Sequence, residues 1–72
     1  MGQLKDEILL KKVATRIKEL REAKNITQEV FYNDTDIHIG RIELGNQNIS
    51  ISTLYHICKY LDIRLEDFFK DL

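Results

Sequence analysis

Two short stretches, Ile26-Thr27-Gln28-Glu29 and Arg41-Ile42-Glu43-Leu44-Gly45, decide how this chain folds. In the first, Thr27 precedes Gln28 and Glu29, the pattern of a helix start: the hydroxyl oxygen accepts from a free backbone N–H and an acid sits at the positive end of the helix dipole. The second is a helix end. Ile39 and Ile42 fall three apart on one face, and Gly45 most easily takes the left-handed conformation that ends a helix. Between them the residues around Asn33 and Asp34 read as a tight connection. Two short helices are therefore expected, over about Thr27 to Tyr32 and about Thr35 to Leu44. Thr35 is the favoured cap of the second, in competition with Asp34 and Asp36.

Outward from this centre the apolar spacing stays helical, and the chain has no Pro to interrupt it. A first helix is expected from about Leu4 to Lys24, its residues 1–12 forming an N-terminal extension. Val13, Ile17 and Leu20 make its apolar stripe with Ala14 beside them, and Asn25 serves as a left-handed stop. A fourth helix starts after Ser50 and carries Leu54, Ile57, Cys58 and Leu61 toward a core. A short fifth begins near Leu65, where Phe68 and Phe69 close the bundle. The expectation is an all-α, compact five-helix domain spanning 1–72, with a pair of helices at 27–44.

Seventy-two residues, 43% of them apolar, are near the lower limit for folding alone and leave no room for a second large site. The single Cys excludes an intramolecular disulfide, and charges interrupt every apolar stretch, so neither a secretory signal nor a membrane span is expected and a reducing cytoplasm is the default. His56 and Cys58 lie only two positions apart, which does not meet zinc-site spacing, and no metal or cofactor is implied. Cys58 reads as a small core residue. No Ser/His/Asp order, glycine-rich phosphate loop or pocketed carboxylate cluster points to an enzyme.

From about Val13 to Phe69 the chain is similar to the lambda-repressor-like (XRE/Cro-type) helix-turn-helix regulators of bacteria and phages. The residues that carry the resemblance are Ile17-Lys18-Glu19-Leu20-Arg21, Thr27-Gln28-Glu29, Arg41-Ile42-Glu43-Leu44-Gly45, and Thr53-Leu54 through Leu61-Asp62-Ile63 with Leu65 and Phe68. Each piece is weak alone, but their order and spacing together are specific. The resemblance implies that Arg21 and Glu43 form a structural ion pair tying the first helix to the third, against the alternative of two unrelated surface charges. It also implies that the third helix enters the major groove of double-stranded DNA while the N-terminus of the second grips phosphate.

On that basis Asp36, Ile37, Gly40 and Arg41 fall at outward, base-reading positions, with His38 beside them as a further contact or an exposed side chain. Arg41 is the strongest reader, because a guanidinium can hold guanine O6 and N7 with two hydrogen bonds. Ile37, about 200 degrees around a helix from Ile39, is expected to point away from the core toward a thymine methyl. Gly40 costs the helix about 1 kcal/mol relative to Ala, which suits close approach by DNA or by another helix. Gln28, Asn46 and Asn48 are the expected phosphate contacts.

Three departures stand out. From Gln28 to Arg41 the chain is about three residues shorter than the family's spacing, so a shortened helix-turn-helix is expected. The loop Asn46-Gln47-Asn48 carries amides where the family often has bases, which predicts shallow salt dependence. Eleven Lys and Arg against twelve Asp and Glu give a net charge of −1, whereas a basic patch is the usual footprint of a nucleic-acid binder. The average hides an asymmetry: residues 1–25 hold seven bases against four acids, the remainder four against eight.

The function expected is that of a sequence-specific transcriptional regulator, a small repressor reading a palindromic operator through the third helix. No small-molecule ligand or membrane is expected. A homodimer is expected, with the two-fold contact at Phe68, Phe69 and Leu72 or along the first helix. The alternative is a protein-interaction module that keeps the fold without specific DNA binding.

Overall fold

The computed structural model describes residues 4–70 and 72, and among these the chain forms five helices and no strand. Helix α1 spans Glu7–Ala23 and starts later than Leu4 because the Asp6 carboxylate accepts from the Leu9 N–H at 2.9 Å, which makes Asp6 the cap and leaves Leu4 to Asp6 outside the helix. Residues 1–3 of the expected extension lie outside the described residues. The helix ends at Lys24, and Asn25 follows in the left-handed region with φ 57°.

Helix α2, Gln28–Thr35, begins as expected, with the Thr27 hydroxyl accepting from the Val30 N–H. Its end corrects the expected turn at Asn33 and Asp34, which lie inside the helix. Three bonds extend it. The Thr35 hydroxyl donates to the Phe31 carbonyl at 2.7 Å, the Tyr60 hydroxyl donates to the Asp34 carboxylate at 2.5 Å, and Asp36 stops the helix by taking the left-handed conformation, its N–H donating to the Tyr32 carbonyl. Thr35 thus terminates α2 instead of capping the next helix.

Helix α3 is correspondingly short, Ile39–Ile42, with His38 at its N-cap and Gly45, at φ 73°, beyond its end. Helix α4, Ile51–Tyr60, starts after Ser50 as expected, and the Ser50 hydroxyl caps it by accepting from the Thr53 N–H at 3.0 Å. Helix α5 covers Leu65–Phe69.

The core gathers residues from every helix: Val13 and Ile17 of α1, Phe31 of α2, Ile39 and Ile42 of α3, Leu54, Ile57 and Cys58 of α4 with the adjoining Leu61, and Phe68 of α5. Phe31 and Phe68 are the largest fully buried side chains, each worth about 1.5–3 kcal/mol by burial. Tyr60 meets Phe31 edge to face at 4.7 Å, which seats α2 on α4. Burial pushes the Cys58 thiol above its ordinary value. Two expectations about the C-terminal end need correction. Phe69 does not close the bundle but stays 43% exposed, and Phe68 and Leu72 are not spare apolar surface, the first being fully buried and the second packed against the core.

Candidate nucleic-acid interface

Helix α3 is held from behind by charge. The Arg21 guanidinium donates from Nε to Glu43 Oε2 at 2.7 Å and from Nη2 to Glu43 Oε1 at 2.9 Å, while Nη1 donates to the Ile26 carbonyl at 2.8 Å. The side chains are 8% and 4% exposed. The hydrogen bond to Glu43 outweighs burial and holds the guanidinium above its ordinary value. One fork therefore joins α1, the entry to α2 and the residue just after α3.

The Gln28 amide joins the same network, donating from Nε2 to Glu43 Oε1 at 3.0 Å. This explains Gly40. A methyl group there would lie 3.1 Å from Gln28 Oε1, so the missing side chain lets the first residue of α2 lie across α3. Gln28 keeps one amide hydrogen, and the backbone N–H groups of the first turn of α2 remain at the positive end of that helix.

On the other side of α3 a groove of about 410 Å³ runs between α3, the following loop and the start of α4. Asp36, His38, Arg41, Gln47, Asn48 and Ser50 all border it. Arg41 is exposed, and the ion pairs among the described residues, Arg21–Glu43 and Arg64–Glu66, leave its guanidinium free. The Asn48 amide donates to the Leu4 carbonyl at 3.0 Å, tying this loop to the segment before α1. Asn46 is exposed in the same loop but does not border the groove.

The residues expected on one outward helical face therefore separate. Gly40 and Arg41 lie on α3; Asp36 and Ile37 do not, because α2 runs on to Thr35 and Asp36 is its left-handed stop. Ile37 is half-buried against the core, yet part of it still lines the groove between Asp36 and His38. His38 is exposed at the N-cap and lies against the Tyr32 ring, with centroids 4.5 Å apart and planes 31° off parallel. Tyr32 and Gln47, neither singled out as a contact by the sequence, join the site, Tyr32 beside His38 and Gln47 on the groove. Tyr32 is one turn beyond Gln28 on α2, as the expected helix already had it, but its contact with His38 arises only from the packing of α2 against the start of α3.

A short helix presented between a helix N-terminus and a polar loop defines a helix-turn-helix DNA-binding domain. A family model for the Cro/C1-type HTH DNA-binding domain matches residues 16–71, most of the chain, and the protein belongs to that family. The family is non-enzymatic, and its partner is double-stranded DNA. Neither a curated protein nor a solved structure matches the chain. No helix of the described residues is long and apolar enough to cross a membrane.

Proposed function

We propose that this domain is a cytoplasmic, sequence-specific transcriptional regulator, a small repressor that reads a palindromic operator with α3 in the major groove. The observation that carries the reading is the flanking of α3: Gln28 lies across Gly40 on one side, and the groove with Arg41, Asn48 and Ser50 opens on the other. A helix with its side chains is about 10–12 Å across and the major groove about 12 Å wide, so groups on either flank of an inserted helix meet the two phosphate walls. Gln28 and Asn48 are the phosphate contacts in this reading, with Asn46 next to them, and Arg41 is the base reader. Asp36 borders the same groove as a like charge to phosphate, acceptable only opposite a base amino group such as cytosine N4.

Four helical residues rise only about 6 Å, less than two base-pair steps of about 3.4 Å. One module therefore specifies little sequence, and a homodimer on two half-sites supplies the remainder. With Phe68 and Leu72 taken into the core, Leu4 and Ile8, 88% and 73% exposed at the N-terminal side of α1, are the apolar residues proposed for the two-fold contact. Selection of random duplexes by the purified protein, with Arg41→Ala in parallel, tests the proposal. A palindromic motif that loses information at one position of each half-site in the variant supports it. Absent enrichment, or an unchanged motif, would move the reading to a protein-interaction module.

A further inference from the structure

His38 occupies the N-cap of α3 yet makes no side-chain cap bond. Ser, Thr, Asn and Asp are the residues that stabilise this position, so helix stability does not account for an imidazole there. Its ring is instead laid against Tyr32, and both side chains are exposed, Tyr32 at 38%. The His38 carbonyl accepts from the Arg41 N–H at 3.1 Å, so the backbone sets the two residues one helical turn apart.

We propose that Tyr32 is a positioning residue for base recognition, holding the His38 imidazole edge-on to the major groove as a second reader beside Arg41. The inference rests on the DNA-binding reading above. Stacking occupies the face of the imidazole and leaves its edge, which carries both ring nitrogens, for hydrogen bonds. The N-terminal residues of a groove-inserted helix are the ones that approach base edges. A ring N–H aimed there can donate to N7 of either purine, O6 of guanine or O4 of thymine, whereas cytosine presents only its N4 amino group, so His38 discriminates against cytosine. The tyrosine contributes by pre-ordering: an imidazole already restrained against a ring loses less freedom on contact than one free to rotate.

Random-duplex selection with the native protein, His38→Ala, Tyr32→Gln and Tyr32→Phe tests this. Gln is a good helix former and Tyr32 is on the surface, so α2 is retained, and Phe keeps the stacking ring. The expected result is a bias against cytosine of about fivefold at one position per half-site. It disappears in His38→Ala, falls at the same position in Tyr32→Gln, and survives in Tyr32→Phe, while the Arg41-dependent position persists in all four. Full information at the His38 position in Tyr32→Gln overturns the proposal, as does a weakening spread evenly over all sequences, the mark of a phosphate contact or a structural defect. A native protein that enriches no motif overturns the DNA-binding reading as well, which separates the two failures.

Discussion

Replacing Glu43 by Gln removes the charge facing Arg21 while keeping the side chain's size. The Arg21 side chain, only 8% exposed, would then face an amide whose own N–H group opposes one of its donors. Breaking a buried pair by removing one partner costs roughly 3–5 kcal/mol, because the other charge is stranded away from water. The lower end applies here, since the amide oxygen of the variant would still accept from Nη2 and the Ile26 carbonyl still accepts from Nη1. A domain of this length has a total stability of about 4–11 kcal/mol, so a loss of about 3 kcal/mol is a large share of it. With a urea slope of about 1 kcal/mol per molar, the midpoint should fall by about 3 M, and the melting temperature by about 12–24 °C. Arg21→Met with Glu43→Leu should be less destabilised than either single variant, because no charge is left unpaired. A Glu43→Gln midpoint within about 0.5 M of the native one, or a double variant whose cost is the sum of the singles, would refute the claim that this pair ties α3 to α1.

Further outcomes follow from the same geometry. Gly45→Ala should cost at least about 1–2 kcal/mol in urea unfolding, because Gly45 sits at φ 73° and a methyl group there would lie 3.3 Å from Ala14 Cβ and Lys11 Cα. Asp36→Asn keeps a residue that tolerates the left-handed conformation and removes an acid from the groove, so duplex binding by fluorescence anisotropy should tighten several-fold at low salt with the melting temperature nearly unchanged. Burial raises the Cys58 thiol and the Asp34 hydrogen bond raises the Tyr60 hydroxyl, so the folded state keeps both neutral where the unfolded chain ionises. Stability is therefore complete at neutral pH and declines as pH climbs past about 9 toward the folded values, and Cys58→Val should flatten that decline in alkaline urea titrations. Because Arg41 is the only Lys or Arg among the proposed DNA contacts, the slope of log affinity against log salt should be about 1–2 per domain; a slope beyond about 4 would assign phosphate contacts to the basic residues of α1.

Where a single side chain decides a helix end, the sequence is legible. Thr27 caps as expected, the fourth helix starts after Ser50, Asn25 and Gly45 take the left-handed stops, and Val13, Ile17, Leu54, Ile57 and Leu61 are buried. The boundary between α2 and α3 is not legible, because local preference and tertiary contact disagree there. Asn33-Asp34-Thr35 reads as a turn on propensity, but Tyr60, twenty-six residues from Asp34, holds that carboxylate, and Thr35 bonds back to Phe31. The helix is thereby carried on to Asp36, and α3 is left with four residues. The positions expected on a longer α3 changed place with it: Asp36 became the stop of α2 and Ile37 a half-buried linker residue at the groove, whereas Arg41, anchored in register by Ile42 and Gly45, stayed on α3 and exposed. Gln28 was legible as the first residue of a helix but not as the amide that fills the space over Gly40, a contact only the packing of α2 on α3 creates.

The central claim is that the face bearing Arg41, flanked by Gln28 and by the loop through Asn48, is the surface that meets DNA. Titration of isotopically labelled protein with duplex DNA at low salt, followed by backbone amide NMR, tests it most directly, since even non-specific complexes mark the interface. If this face meets DNA, the shifted amides cluster at Gln28, at His38 to Arg41 and at Asn46 to Ser50, with α5 unmoved. Shifts that are absent, or that gather on α5 and the outer face of α4, would contradict it.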